Sequence, residues 1–322
     1  MKNEKPQKTC LLIAPQSFYS YSEYIKKTLT LRGYKVTVTN DEYPENFIGK
    51  IMGKLRIPLL LHLTRKRIEQ EFLQGKSYDL VLIIKGRGMS SKLIEQLKKV
   101  STRVIGYTYD SFKYHNAPGK WFRYLDKFYT FDYRDSEQHN IPVIELFSSF
   151  PESFNSKKST YEISVITRNH SDRLTYIDKV LSNLNVERSF IYIFEQNIFT
   201  FLQNFIKSPR LYFKYRKHIS FKSLSYNEYT EVLQESNFTI DFAHPSQSGI
   251  TIRCFEALSS GTKIITNNPF VSRNKYFNET NTIVYNDTSD AEILKKQFTS
   301  LEKHTPEKHN RTISHFIEDI IS

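Results

Sequence analysis

The residue types best suited to holding an anion lie together between residues 241 and 268. This stretch, DFAHPSQSGITIRCFEALSSGTKIITNN, predicts a strand, then a polar loop that turns at Gly249, then a helix that begins near Ile250. The first turn of a helix offers N–H groups without intrahelical partners and the positive end of the helix dipole. Loop and helix add donors at the same place, namely Ser246, Gln247, Ser248 and Arg253. These groups predict a site for an anion such as a diphosphate.

A carboxylate follows on the same predicted helix. Glu256 comes three residues after Arg253, so the two side chains lie on a similar face. A carboxylate in that place can accept hydrogen bonds from sugar hydroxyls. An ordinary strand–loop–helix unit with a glycine in its loop has the same outline. The polar loop, the Arg–Glu spacing and the helix stop at Gly261 together favour a binding site.

The segment resembles the donor-binding signature of the GT-B class of glycosyltransferases. In that class a Ser/Gly-rich loop and a helix with a Glu-Ala-Leu/Met pattern are followed by Gly and an apolar strand. The matching parts here are SQSG, Phe255-Glu256-Ala257-Leu258, Gly261 and KIIT. Within the class it is similar to bacterial polysaccharide and lipopolysaccharide biosynthesis proteins, which carry a Gln-Ser-Gly-hydrophobic-Thr motif and then Thr-Asn. Thr266, Asn267 and Asn268 fit the second part.

The resemblance implies roles for these residues. Glu256 would hold the ribose or sugar hydroxyls of a nucleotide-activated sugar, and the backbone at 246–249 would hold its phosphates, with Asn267 as a further donor-site residue. Many members that retain the sugar's configuration carry a pair of glutamates. The first of that pair would fall at Ser248 here. The stereochemical outcome therefore stays open.

A second cationic loop, TRNHSDR at 167–173, follows the first predicted strand of the C-terminal half. Arg168 and Arg173 can pair with donor phosphates, and His170 could join them. A solvated basic loop is the equally weighted alternative. Arg168 is favoured because it comes directly after the strand.

Candidate bases for the acceptor hydroxyl lie in the N-terminal half. An inverting transfer needs a carboxylate or a histidine that takes the hydroxyl proton. Asp110, at the end of a predicted strand, is preferred, with His115 and Asp132 behind it; a role for Asp110 in capping a turn or helix is at least as well supported. The KGRGM loop at 85–89 adds two cations, but a lone Gly-x-Gly is a weak motif.

The sequence lacks the residue patterns that several other kinds of chemistry require. The sequence has no Walker A pattern, no Gly-x-Ser-x-Gly elbow and no spaced His/Cys set for zinc. It also has no Asp-x-Asp pair to hold a metal-bound nucleotide. We therefore expect metal-independent chemistry and no resident cofactor, with the activated donor as a substrate.

The elements that must position these residues alternate between apolar strands and helices, in two halves. This pattern predicts an α/β protein with two Rossmann-like domains, and the resemblance implies that they face a central cleft. Strands are predicted at 10–15, 34–40, 80–86, 103–110, 127–135, 141–147, 161–167, 189–194, 218–223, 237–243, 262–267 and 281–287. Helices are predicted at 20–32, 46–75, 90–99, 172–184, 225–236, 250–260, 289–300 and 307–321. The class of 198–217 is left open.

A Ser/Pro/Lys-rich stretch at 148–160 breaks the alternation and predicts the domain boundary. It separates an acceptor domain at 1–150 from a donor-binding domain at 151–322, whose last helix could pack back on the first domain. Each domain is large enough to bury a core.

The formal net charge of +12 indicates attraction to an anionic partner, although a Lys-rich solvated surface explains it equally well. Cys10 and Cys254 lie in apolar stretches and suit a reducing compartment. No apolar run is long enough for a signal peptide or a membrane span, so we expect a cytoplasmic protein. The basic, apolar stretch 49–70 could rest on an anionic membrane, with help from 198–217; a packed amphipathic helix is slightly favoured.

The main hypothesis is a glycosyltransferase that acts on a surface-polysaccharide or lipid-linked acceptor. Transfer from another diphosphate-activated donor, such as a phosphoribosyl diphosphate, would use the same phosphate site. A basic nucleic-acid-binding protein is a third possibility, but no nucleic acid is expected as a partner because the usual motifs are missing. A non-catalytic nucleotide-binding regulator is a fourth.

Overall fold

The computed structural model describes residues 7–16, 21–55, 57–150, 160–286, 288–305 and 307–322, without the side chains of Lys50 and Lys54. The strands are β1 (Lys8–Ile13), β2 (Tyr34–Thr39), β3 (Leu80–Ile84), β4 (Val104–Thr108), β5 (Lys127–Thr130), β6 (Tyr161–Arg168), β7 (Ser189–Phe194), β8 (Ile219–Ser220), β9 (Ser236–Asp241), β10 (Lys263–Thr266) and β11 (Thr282–Val284). The helices are α1 (Tyr21–Leu31), α2 (Phe47–Lys54), α3 (Leu59–Ile68), α4 (Ser91–Lys99), α5 (Tyr133–His139), α6 (Arg173–Leu184), α7 (Ile198–Lys207), α8 (Pro209–Lys214), α9 (Tyr226–Gln234), α10 (Ile252–Ser260), α11 (Ala291–Glu302) and α12 (Ile313–Ile321).

The chain forms two compact units. The first consists of Met1–Leu146, Ser246–Gly249 and Ile313–Ser322, and the second of Phe147–Pro245 and Ile250–Thr312. Four residues of the polar loop before α10 therefore group with the first unit. The predicted linker falls mainly on 151–159, which lie outside the described residues.

The first unit is built on a parallel sheet with the strand order β2-β1-β3-β4-β5. Its three inner strands are almost wholly apolar because helices cover both faces of such a sheet. Leu82, Ile83 and Ile105 have no solvent exposure, and Trp121 is buried in the core that these strands form. The α/β class predicted for this half is confirmed.

The last helix, α12, packs on the first unit. The ring of Phe316 meets the ring of Tyr107 edge to face at 4.9 Å. Arg103 donates to the carbonyl oxygen of Ile321 at 2.8 Å, and Lys127 donates to that of Ser322 at 2.9 Å. Cations at the carbonyl end of a helix also favour its dipole.

The second unit is built on a parallel sheet with the strand order β11-β10-β9-β6-β7-β8. Its core includes the buried side chains of Val165, Phe238 and Ile265. The ring of Phe298 on α11 stacks on Phe238 at 4.4 Å between centroids. Because β6 and β9 are neighbours and parallel, their carboxyl ends lie side by side at one edge. Ligands of open α/β sheets bind at that edge.

Some element boundaries differ from the prediction. Residues 141–147 form no strand, because Pro142 lacks an N–H; Val143 alone bridges to Thr130. The strand expected at 127–135 ends at Thr130, since Asp132 caps α5 and the chain turns into that helix. The single helix expected at 46–75 is broken between α2 and α3 near Pro58. The open segment 198–217 forms α7 and α8.

Candidate functional site

The carboxyl ends of β6, β9 and β10 in the second unit carry the polar groups from which a binding site can be built. Asp241, the last residue of β9, is almost completely buried. Its carboxylate accepts from the hydroxyl of Thr251 at 2.7 Å and from that of Thr266 at 3.2 Å. A buried carboxylate with two hydroxyl donors is a fixed negative charge at the base of this edge.

Arg253 is held against that carboxylate. Its Nη1 lies 3.7 Å from Oδ1 of Asp241, and its Nη2 donates to the carbonyl oxygen of Ile166 on β6 at 2.9 Å. The side chain keeps about a fifth of its surface exposed. The guanidinium is therefore held in place by a carboxylate and a backbone carbonyl.

Glu256, one turn further along α10, is buried, and Oε2 accepts from the hydroxyl of Tyr229 on α9 at 2.7 Å. Burial raises the pKa of Glu256 to about 7, although the Tyr229 hydrogen bond and the charge of Arg253 act to lower it. The carboxyl thus titrates near neutral pH. Its acceptor oxygen is used by Tyr229 within the protein, and contact of Glu256 with donor hydroxyls stays a prediction.

The loop between β6 and α6 adds a group of cations. Arg168 donates to Oε1 of Gln196 at 2.6 Å, and Arg173 donates to the carbonyl oxygen of Phe242 at 3.4 Å. The pKa of His170 between them is lowered to about 4, first by loss of hydration and then by the positive charges of its neighbours. Those neighbours are Arg173, Arg168, His244 and Arg253.

Apart from the loss of hydration, the named charges that lower the pKa of His170 are all positive, so these cations act on the same imidazole. Burial and the charge of Arg173 likewise lower the pKa of His244. Like charges that gather at a strand end raise the free energy of the protein until an anion binds among them. A diphosphate, with its clustered negative oxygens, matches this field.

Asn267 joins two of the loops at this edge. Its Oδ1 accepts from the N–H of Ala243 at 2.8 Å, and its Nδ2 donates to the carbonyl oxygen of the same residue at 3.0 Å. These two bonds fix the loop after β10 to the loop after β9. Contact of Asn267 with a donor stays a prediction.

In the first unit, Asp132 and Ser248 form a closed hydrogen-bond network. Oδ2 of Asp132 accepts from the N–H of Ser248 at 2.6 Å, and Oδ1 accepts from its hydroxyl at 2.8 Å. Oδ1 also caps α5 through the N–H groups of Arg134 and Asp135. Asp132 thus anchors the 246–249 loop, and its use as a base stays a prediction.

The same loop is fixed at two further points. The hydroxyl of Ser111 donates to the carbonyl oxygen of Ser246 at 2.7 Å. A Cβ on Gly249 would lie 2.2 Å from the Phe131 ring, so only glycine allows this close approach. In this structure the loop residues predicted to hold phosphates are bound by the first unit.

Asp110 lies at the carboxyl end of β4 and is mostly buried. Nζ of Lys85 is 2.6 Å from its Oδ2, and Nε2 of Gln247 donates to its Oδ1 at 3.2 Å. Lys85 has a positive φ of 67°, a conformation that is strained in a residue other than glycine. The turn after β3 thereby directs a cation at Asp110, and the carboxylate is oriented on both oxygens.

His115 lies in the turn that follows Asp110, and its backbone N–H donates to the carbonyl oxygen of Ser111 at 2.8 Å. The structure therefore brings Asp110 and Gln247 together, and separately Asp132 and Ser248. In the second unit it brings Arg168, Arg173 and Arg253 around His170.

Three contributing residues were missed by the sequence reasoning, namely His244, Asp241 and Tyr229. His244 and Asp241 lie inside the 241–268 segment used for the prediction, at the strand end, so their position was a usable signal. Tyr229 lies on a helix with no motif. Only the tertiary structure places it on Glu256.

Within the described ranges no group of three or more His, Cys, Asp or Glu side chains could hold a metal ion. None of the helices that the structure describes is long and apolar enough to cross a bilayer. Metal independence stays a prediction.

Solved structures with this architecture include glycosyltransferases and a UDP-GlcNAc 2-epimerase. AviGT4, a glycosyltransferase involved in avilamycin A biosynthesis, has a TM-score of 0.59 and 11% identity, with coverage of 98% of this chain and 96% of that chain. The apo form of the lipopolysaccharide outer core galactosyltransferase WaaB has a TM-score of 0.55 and 12% identity, with coverage of 97% and 94%. The UDP-GlcNAc 2-epimerase of Methanocaldococcus jannaschii has a TM-score of 0.53 and 11% identity, with coverage of 98% of both chains.

These similarities extend over almost the whole chain, and they show that it has the GT-B fold of glycosyltransferases. The fold predicted from the sequence is therefore confirmed. No family model matches the sequence, and no curated protein is significantly similar to it.

Proposed function

We propose that this protein is a glycosyltransferase that moves a sugar from a nucleotide-activated donor to a hydroxyl of a glycan or lipid-linked acceptor. The observation that carries the proposal is the gathering of three arginines at neighbouring strand ends of the second unit. Arg168 ends β6, Arg253 donates to the carbonyl oxygen of Ile166 on β6, and Arg173 donates to that of Phe242 after β9. The GT-B fold supports it, because solved structures with this fold include glycosyltransferases. Fold alone does not set the reaction, so the site carries the argument.

The second unit would bind the donor. Arg168 and Arg253 would pair with the diphosphate, and Glu256 would accept from ribose or sugar hydroxyls. The positive charges would also stabilise the nucleoside diphosphate as it leaves, since the leaving oxygen gains negative charge in the transition state. We propose that no resident metal or cofactor takes part, because arginine charge can fulfil this role.

The first unit would bind the acceptor. In an inverting transfer, Asp110 would take the proton of the acceptor hydroxyl, whose oxygen forms a bond to the anomeric carbon. The bond between that carbon and the diphosphate oxygen would break, and the diphosphate would keep the electron pair. Lys85 and Gln247 hold the Asp110 carboxylate in a fixed direction, which favours this role.

WaaB is a lipopolysaccharide outer core galactosyltransferase. By analogy we propose a surface polysaccharide or lipid-linked glycan as the acceptor, with the protein on the cytoplasmic side of the membrane. The fold likeness alone does not distinguish among such acceptors.

The test is donor binding, measured by isothermal titration with a panel of nucleotide sugars, nucleoside diphosphates and phosphoribosyl diphosphate. We expect one nucleotide series to bind, and Arg168→Gln to weaken it about tenfold or more, since a charge-assisted hydrogen bond contributes about 1.5–3 kcal/mol. Arg188→Gln is the matched control, because Arg188 is an exposed arginine of the same unit, paired with Glu162. Equal loss in both variants, or no binding at all, would refute the donor site.

Product analysis separates the alternative reactions. Release of nucleoside diphosphate that depends on an acceptor indicates glycosyl transfer. Conversion of the sugar nucleotide without an acceptor would indicate epimerisation, as in the UDP-GlcNAc 2-epimerase that shares the fold. Turnover of phosphoribosyl diphosphate alone would favour the second donor class. Binding confined to nucleic acid, with a strong dependence on salt, would contradict the enzyme proposal.

A further inference from the structure

One helix of the second unit turns its apolar side chains to solvent. None of the ten residues of α7 is buried. Its exposed apolar residues are Ile198, Phe199, Leu202, Phe205 and Ile206. At 3.6 residues per turn they fall within an arc of about 120°, as wide as the stripe by which a helix normally packs on a core. Phe199 and Ile206 are each about three-quarters exposed (74% and 77%).

The exposed surface continues beyond α7. Phe213 on α8 is 67% exposed, and Phe221, which follows β8, is 50% exposed. The ring of Phe221 lies 5.8 Å from that of Phe201, which ties it to the side of α7. The α7–α8 surface, defined as residues 198–222, is therefore one connected apolar and aromatic patch. A patch of this kind on a protein surface marks an interaction site.

The charge of the α7–α8 surface has one sign. The sequence from 196 to 227 contains no Asp or Glu. Its cations are Lys207, Arg210, Lys214, Arg216, Lys217 and Lys222. Lys214 pairs with Asp178 of α6, and Arg216 lies over the Phe213 ring at 4.4 Å. Exposed phenylalanines bordered by lysine and arginine suit a partner that has an apolar layer beneath an anionic outer layer.

The first turn and the inner side of α7 hold the helix on the second unit. Asn197 and Thr200 form a capping box at its first turn. On its inner side, Asn204 donates to Oε1 of the buried Glu195 at 3.1 Å, and Tyr212 donates to the same carboxylate. The ring of Phe201 also packs on the core that contains Tyr212, and the ring of Phe205, at the edge of the arc, lies 6.3 Å from that of Tyr212. Polar and apolar contacts together therefore fix α7 in position, while the rest of the arc stays exposed, namely Ile198, Phe199, Leu202 and Ile206.

We propose that the α7–α8 surface docks on an anionic phospholipid bilayer. The phenylalanine and isoleucine side chains would enter the boundary between headgroups and acyl chains, and the cations would contact phosphate and other anionic headgroups. A second copy of this chain is disfavoured as the occupant, because two such surfaces would bring their cations face to face. This proposal does not depend on the sugar transfer, although docking on a bilayer would bring the protein close to a lipid-linked acceptor.

The test is co-sedimentation of the full chain with sucrose-loaded vesicles, without donor or acceptor. We expect binding to phosphatidylcholine–phosphatidylglycerol vesicles and much weaker binding to phosphatidylcholine alone. The double variant Phe199→Ser/Ile206→Ser should bind at least about tenfold more weakly. The double variant Arg210→Gln/Lys217→Gln should lose about fivefold in vesicle affinity for each cation removed. Added salt should also weaken binding, because it screens the same charges.

The matched control is Ile293→Ser, which removes a similarly exposed apolar side chain (54%) from α11 of the same unit. It should bind like the wild type, and circular dichroism should show that all variants are folded. Three results would overturn the proposal. In the first, Phe199→Ser/Ile206→Ser binds vesicles as well as the wild type does. In the second, binding is lost only in Phe47→Ser, on α2 of the first unit. In the third, the wild type does not bind vesicles, and light scattering shows that it self-associates. Donor affinity, measured separately, tells failure of this proposal from failure of the proposed function.

Discussion

The buried carboxyl of Glu256 should make the stability of the protein depend on pH in a way that one substitution removes. Burial raises its pKa from 4.5 to about 7. The folded state therefore binds this proton more tightly than the unfolded state does. Between those two pH values the folded protein holds the proton while the unfolded chain has lost it, so the free energy of unfolding falls as pH rises through this window.

The size of the effect follows from the shift. One pKa unit corresponds to about 1.4 kcal/mol. A rise from 4.5 to about 7 therefore gives about 3 kcal/mol of unfolding free energy, present below the lower value and lost by the upper one. Glu256→Gln keeps the shape and the acceptor oxygen for Tyr229 but has no proton to bind. Its stability relative to wild type should rise with pH by about this amount.

The assay is urea unfolding of both proteins, followed by far-UV circular dichroism at a series of pH values from about 4 to about 8. Comparison with the variant cancels other titrating groups, such as Asp41, whose pKa burial also raises to about 7. A difference between the two proteins that is the same at every pH would show that Glu256 does not titrate in this range. The inference from its burial would then be refuted.

Three further predictions follow from the described contacts. Tyr229→Phe should destabilise the protein by about 1–3 kcal/mol in urea unfolding, because Glu256 loses its hydroxyl donor while still buried; an unchanged midpoint would contradict this. Asp132→Asn should lower the melting temperature by several degrees, since it weakens both the cap of α5 and the anchor of Ser248, whereas Asp290→Asn at the exposed cap of α11 should cost less. Inorganic diphosphate should raise the pKa of His170 from about 4 towards its ordinary value of 6.5 in an NMR titration, because an anion favours the imidazolium; a fixed pKa in the presence of the ligand would show that the anion binds elsewhere.

The sequence was a good guide to the fold because the parallel sheets impose a strong local pattern. Strands covered on both faces must be apolar throughout, and runs such as LVLII at 80–84 can form little else between polar loops. The prediction was wrong at 141–147, an apolar run of the same length. There Pro142 removes a hydrogen-bond donor that a continuing strand would need.

The site could be predicted only in part because its cations are local and its other contacts are not. Arg168 is the last residue of β6, one residue beyond the predicted strand end, so its position at the carboxyl edge of the sheet could be read from the chain. The partner of Ser248, in contrast, is Asp132, more than a hundred residues earlier, and nothing in the loop sequence indicates that contact. The contact of Tyr229 with Glu256 could not be predicted either, because Tyr229 donates to it from a separate helix.

The charged side chains at the strand ends are arranged differently in the two units, and this difference supports the separate roles proposed for them. In the first unit each singled-out carboxylate is met by donors, as Asp110 is by Lys85, so the charges there are balanced within the fold. Around His170 in the second unit, every charge that shifts its pKa is positive. Arg253 is paired with Asp241, but positive charges still predominate around His170. Like charges brought together cost stability, and proteins accept such costs at functional sites. Under the proposed function, the oriented Asp110 carboxylate of the first unit would serve a neutral acceptor, and the anionic donor would neutralise the excess positive charge of the second unit.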